Sequence, residues 1–142
     1  MQQLYLPLKF GRLLITRVAN PAVATNFSYG AANALVEELA SVSLLLTTDA
    51  NVANRNTVIN ILDATGTIQR YAGTQVTAAN QAQTWMFAPG LPNLTAIGTN
   101  YVHFSPNIII PRGGSVDSLV NNLQAGDQLS AIIIVTRVWA RP

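Results

Sequence analysis

Cysteine is absent, histidine occurs once, and only 10% of the residues carry a charge. Without cysteine there is no disulfide framework and no thiol chemistry. That fits synthesis in the cytosol, or simply a chain stable without crosslinks. His103, between Val102 and Phe104, cannot build a metal site alone, and no nucleophile with an orienting partner stands out for a triad. It reads as a structural or surface histidine. The 6 carboxylates are Glu37, Glu38, Asp49, Asp63, Asp117 and Asp127. Asp63 and Asp127 sit in turns and Asp49 ends a strand. Glu37 and Glu38, being adjacent, point to opposite faces of a strand, so no acid/base pair is legible. Asp49-Ala50-Asn51 followed by Asn54 is too short for a calcium loop and lacks its terminal glutamate. Gly113-Gly114 after Pro111-Arg112 reads as a turn or bulge rather than an anion cradle. The chain is therefore read as no enzyme, with no cofactor and no metal.

Long apolar runs are also missing. Runs such as Leu44–Leu46 and Ile132–Val135 are far too short to span a bilayer. The start, MQQLYLPLKFGRLLITRV, is not read as a signal peptide, because Pro7, Lys9 and Arg12 interrupt its apolar residues. Net charge is only +2, too weak for a nucleic-acid footprint, and the aromatics lack the basic interleaving of single-strand binders. No membrane and no direct nucleic-acid partner are expected.

What is present is apolar and neutral. Hydrophobic residues make up 49% of the 142, enough for one domain with its own core, while Asn, Gln, Ser and Thr replace the usual charge. A surface so poor in charge lacks the repulsion that keeps monomers apart, which points to cover by neighbours. Lys9, Arg12 and Arg17 lie near the start and Arg137 and Arg141 at the end, with every carboxylate between. Two readings stay open. The cations guard solvated strand edges, or, if the termini meet, they form a basic patch that docks on an acidic protein.

Short apolar stretches alternate with Gly, Pro and Asn signals, and no stretch sustains a helical period. Leu13–Val18 reads as a strand, and so, mainly, does Val36–Thr48, with a helical turn near Ala31–Leu35 as the alternative. Asn56–Leu62 and Thr67–Tyr71 flank Asp63-Ala64-Thr65-Gly66, a hairpin by its turn chemistry. Gln75–Gln83 reads as loop and Leu91–Asn100 as irregular. Val116–Leu123 fits a strand or a helical turn. The longest strand, Gln128–Trp139, is apolar on both faces, so it is either central or meets a partner with its outer face. Arg55 is read as structural, tying its own loop to a carbonyl. The fold class expected is all-β, a single antiparallel β-sandwich over residues 1–142, with 1–18 as an arm or edge strand.

The order of pieces resembles the small decoration, or cement, proteins of tailed-bacteriophage capsids that adopt a jelly-roll fold. The likeness rests on Ser41–Thr48, Val52-Ala53-Asn54-Arg55, Val58–Leu62 and Asp63-Ala64-Thr65-Gly66. It continues through Phe87-Ala88-Pro89-Gly90, Ile108-Ile109-Ile110-Pro111 and Gln124-Ala125-Gly126-Asp127. It implies a structural protein on the outer surface of a virion, made in the host cytoplasm. Such a protein binds the major capsid protein, clamps neighbouring subunits, and self-associates as a homodimer or higher oligomer. The contact residues expected on that reading are Tyr5, Lys9, Arg12, Arg17, Arg137 and Arg141. The competing expectation is a carbohydrate-binding jelly-roll module of a fibre or adhesin, which would expose Trp85, Tyr101 or Trp139.

Overall fold

A computed structural model describes residues 11–31 and 35–140. Tyr5, Lys9 and Arg141 lie outside them, as does most of the stretch where a helical turn was the alternative. The described residues form eleven strands and no helix: β1 (Arg12–Val18), β2 (Ser28–Gly30), β3 (Leu35–Thr47), β4 (Asn56–Asp63), β5 (Gly66–Ala72), β6 (Ala82–Ala88), β7 (Leu94–Ala96), β8 (Thr99–His103), β9 (Ile108–Ile110), β10 (Ser115–Asn121) and β11 (Gln128–Ala140). They make two packed sheets, the expected all-β sandwich. The larger runs β1-β11-β3-β6-β8-β7, with β9 also pairing β3, and the smaller runs β2-β10-β4-β5. The pairing is nested: β1 with β11, β2 with β10, and β4 with its neighbour β5.

One pair departs from the expected antiparallel pattern. β6 and β8 are parallel, Thr84↔Thr99 through Ala88↔His103. The cause is β7, a short strand inside the stretch read as irregular. It returns the chain along the outer side of β8, antiparallel to it, so β8 sets out in the same direction as β6.

Two bulges explain how the long strands serve the core. In β3 the buried positions run Glu37, Leu39, then Val42, Leu44, Leu46. The change of phase falls where Val135 pairs Ser41 and Thr136 pairs Leu39, leaving Ala40 unopposed. In β11 the register slips between Ser130 and Ile133, and Ala131 adopts φ 48°. An extra residue in one strand flips the alternation beyond it. Leu129, Ile132, Ile134 and Val138 therefore all face inward and are buried. Ile133, Val135, Arg137 and Trp139 take the other face.

The core joins both sheets. Leu39, Val42, Leu44, Leu46, Trp85, Phe87, Val102, Ile132 and Ile134 of the large sheet pack with Ile59, Ile61, Val116 and Val120 of the small one, along with Phe27 and Phe104. In β4 the inner residues are Ile59 and Ile61, with Thr57, as alternation from Asn56 predicts. The β4–β5 hairpin is the turn its residues specify. Asp63 Oδ1 accepts hydrogen bonds from the Thr65 N–H at 2.7 Å, the Thr65 hydroxyl at 2.6 Å and the Gly66 N–H at 3.2 Å. These bonds hold the Asp63 carboxyl below the ordinary carboxylate value. Gly114 is needed for a different reason. A Cβ there would lie 2.3 Å from the Leu62 carbonyl oxygen, so only glycine lets the two backbones approach.

Candidate interaction surfaces

Two surfaces stand out. The first is the outer face of the large sheet. Opposed residues in an antiparallel pair share a face, so the register Leu13↔Arg137, Ile15↔Val135, Arg17↔Ile133 sets these six side by side. The row continues onto β3 through Ile133↔Ser43 and Trp139↔Val36, then onto β6 through Ser43↔Met86. From there Met86 leads to Tyr101 of β8. Leu13 and Ile15 are 59% and 68% exposed. This is a largely apolar sheet face bearing few charges, and a contiguous apolar surface of that kind marks an interaction site. β1 forms one border of the sheet, so its outward backbone groups are unpaired within the described ladder.

Of the expected basic patch, the described residues Arg12, Arg17 and Arg137 do not all share one face. Arg12 pairs Val138 and Arg17 pairs Ile133. Five residues apart in one strand, the two cations project from opposite faces. Arg17 and Arg137 do share the outer face, but Arg137 lies 3.8 Å from Glu38, which faces it across the β3 register. The outer face is thus a mixed, nearly neutral surface, and Arg12 belongs to the other side of the edge.

The second surface is one end of the sandwich, where residues 19–27, 48–55, 73–81 and 122–127 connect strands. Arg55 organises it. Its side chain is fully buried, and each of its five N–H donors has an acceptor. Nε and Nη2 hold the two oxygens of Asp127 at 2.9 and 3.0 Å. Nη2 also reaches Asp49 Oδ1 at 2.7 Å, and Nη1 takes the carbonyls of Asn51 and Ala53 at 2.8 and 2.7 Å. Asp127, buried as well, accepts further bonds from the N–H groups of Asp49 and Gln124. Arg55 ties its own loop through carbonyls, as its structural role required, and Asp127 closes its turn. The ion pair that joins them across 72 positions was not legible from either loop.

Asp49 accepts from the Arg55 guanidinium, the Asn51 side chain and two backbone N–H groups. Partial burial pushes its carboxyl up, but bonds from the Asn51 side chain and N–H, the Gly126 N–H and the Arg55 charge outweigh that, and it rests below its ordinary 3.8. A depressed folded value means the ionised form contributes stability above pH ~4, and the contribution is lost as pH falls through the lowered value. The urea midpoint is expected to drop below pH ~4. Asp49→Asn should lower it at neutral pH and flatten that acid slope, as paired titrations at pH 3 and 7 would read.

Other candidate residues divide between the core and the outer sheet face. Trp85 is fully buried, stacked near Phe87 with ring centroids 6.2 Å apart. Its indole N–H donates to Thr77 Oγ1 at 3.0 Å, so it offers no platform for a sugar. Tyr101 and Trp139 lie half-buried on the outer sheet face. His103 Nδ1 accepts the Gly90 N–H at 3.1 Å and its own N–H donates to Asn93, which fastens the loop after β6. Glu37 is buried on the inner face of β3 and accepts the Tyr29 hydroxyl at 2.9 Å. Burial first, then that carboxylate, raises the Tyr29 pKa. Among the described residues no group of three or more His, Cys, Asp or Glu is placed to hold a metal, and no helix is long and apolar enough to cross a membrane.

No family model matches the chain, and neither a curated protein nor a solved structure matches it.

Proposed function

We propose that the chain is a capsid decoration protein of jelly-roll type, one that binds the outer surface of a viral shell and holds neighbouring shell subunits together. The observation that carries this reading is the apolar outer face of the large sheet, bordered by β1 and centred on Leu13, Ile15, Val135 and Trp139. A face of this kind gains by being covered. The strand order supports the jelly-roll part. Nesting β1·β11 and β2·β10 around β4·β5, with the two sheets ordered β1-β11-β3-β6 and β2-β10-β4-β5, is what wrapping one long antiparallel hairpin into two Greek keys produces. The resemblance noted in the sequence supplies the shell as partner. A clamp works by burying surface that separates only when the shell subunits do, and many copies multiply a modest single-site affinity.

The test is co-sedimentation of the purified chain with expanded, undecorated phage heads. Wild type is expected to pellet with the heads. Ile15→Asp should weaken binding about tenfold or more, because it sets a carboxylate where apolar area is buried, while the thermal midpoint stays within a few degrees for an exposed site. Wild-type protein that remains in the supernatant at every concentration would end the proposal.

A further inference from the structure

Unpaired buried polar atoms gather where the chain leaves β5. Among the described residues, four buried side-chain atoms have no hydrogen-bond partner, and three of them are Thr57 Oγ1 and Oε1 and Nε2 of Gln75. Thr57 is fully buried and Gln75 is only 8% exposed.

The register explains why they meet. Val58 pairs Ala72 at the end of the β4–β5 ladder, and Arg55 pairs Thr77 in an isolated bridge. Between these two pairs β4 has two residues, Asn56 and Thr57, while the opposite chain has four, 73–76. The surplus opens a bulge in which backbone no longer meets backbone. Asn56 spans part of the gap, its Nδ2 donating to the carbonyls of Gly73 at 2.8 Å and Gln75 at 2.9 Å. Thr57, the next residue, faces the core with Ile59 and Ile61. Gln75 turns inward as well. A methyl group added at Gly73 would overlap Gln75 Oε1 and stand 3.0 Å from Val102 Cγ2, so the carboxamide lies over Gly73 beside a residue of the core. Thr77 also faces inward, where its Oγ1 accepts the Trp85 indole N–H.

The chemistry of these groups selects what joins them. A carboxamide carries two N–H donors and a carbonyl acceptor, and a hydroxyl both donates and accepts. The set is neutral and offers no charge to an ion. The nearby Arg55 directs its donors to Asp127, Asp49 and two carbonyls. Buried groups of this kind are paired in folded proteins, by protein atoms or by ordered water. Water donates and accepts alike, and an internal water makes about three such bonds.

We propose that internal water occupies this bulge and bridges the Gln75 carboxamide to the Thr57 hydroxyl, fastening residues 73–77 to β4. The inference does not depend on the decoration reading. It makes the inner side of the bulge a solvent-bonded seam, while Asn56 closes the gap by direct bonds.

Relaxation dispersion of water, measured on the full chain, tests this with Thr57→Val, Gln75→Met and the double variant beside wild type. Wild type is expected to hold long-lived water that the double variant lacks. Folding equilibrium constants from urea titration give a second reading. Each single variant strands the polar group that remains, so each should lose stability. The double variant removes both ends of the bridge and should be about tenfold more stable than the product of the single effects. Equal dispersion in wild type and double variant, or single effects that simply multiply, would overturn the proposal. If the double variant does not fold, a high-resolution crystal structure of wild type decides alone. Density for water bonded to both Gln75 and Thr57 upholds the proposal, and a direct bond between the two side chains, or no water there, overturns it.

Discussion

Arg55→Ala is expected to cost about 3–5 kcal/mol, read as a shift in the urea midpoint at neutral pH. The reason is what remains after the guanidinium goes. Asp127 stays buried, having lost two of the four bonds to its carboxylate. Asp49 loses its cation, and the Asn51–Ala53 segment loses both anchors. Against a total stability of about 5–15 kcal/mol for an ordinary domain, that is a large fraction. Arg55→Lys should recover only part of it, because an ammonium cannot fork onto Asp127 while reaching two carbonyls. A loss below about 1 kcal/mol for the alanine variant would mean the network adds little beyond its own desolvation.

Trp85→Ala is expected to be as damaging, at about 3–5 kcal/mol. Trp85 is fully buried in β6, between the ladders to β3 and β8, and its removal opens a cavity where both sheets meet. Trp85→Phe separates two contributions. It keeps most of the volume and deletes the indole donor to Thr77 Oγ1, so about 1–3 kcal/mol should be lost. Denaturant titration followed by circular dichroism, which does not depend on tryptophan fluorescence, measures both. Equal losses for the two substitutions would show that the hydrogen bond, not the packing, dominates.

What the sequence disclosed was whatever local chemistry decides. Asp63-Ala64-Thr65-Gly66 specified its hairpin because every bond in the turn lies within four residues. The strands over 36–48 and 128–139 were legible from their apolar density, since few other elements tolerate such runs. The bulges at Ala40 and Ala131 were not, because either strand alone reads as continuous alternation and only the partner's register reveals the extra residue. That slip changes the meaning of β11: it sends Leu129 inward along with Ile132, and leaves Ile133 and Val135 outside. The parallel pairing of β6 with β8 was hidden for the same reason, since β7 is three residues long and has no signature of its own. The split of Arg12 from Arg17 could have been read, because an odd separation in a strand puts two side chains on opposite faces. The union of Arg17 with Arg137 could not, as it depends on a register between residues 120 positions apart.

The pairing of β1 with β11 carries a consequence for synthesis. The border strand is translated before every other described strand, and its ladder partner after all of them. Val18 meets Ile132, so roughly 115 further residues must be translated before the ladder can close, about 6 to 23 s at ~5–20 residues per second. During that interval Leu13 and Ile15 have no sheet to rest on, and β3 lacks one flank. A chain whose synthesis stops before β11 would carry two unfinished edges, β1 and β3, the kind of surface that aggregates or is held by chaperones.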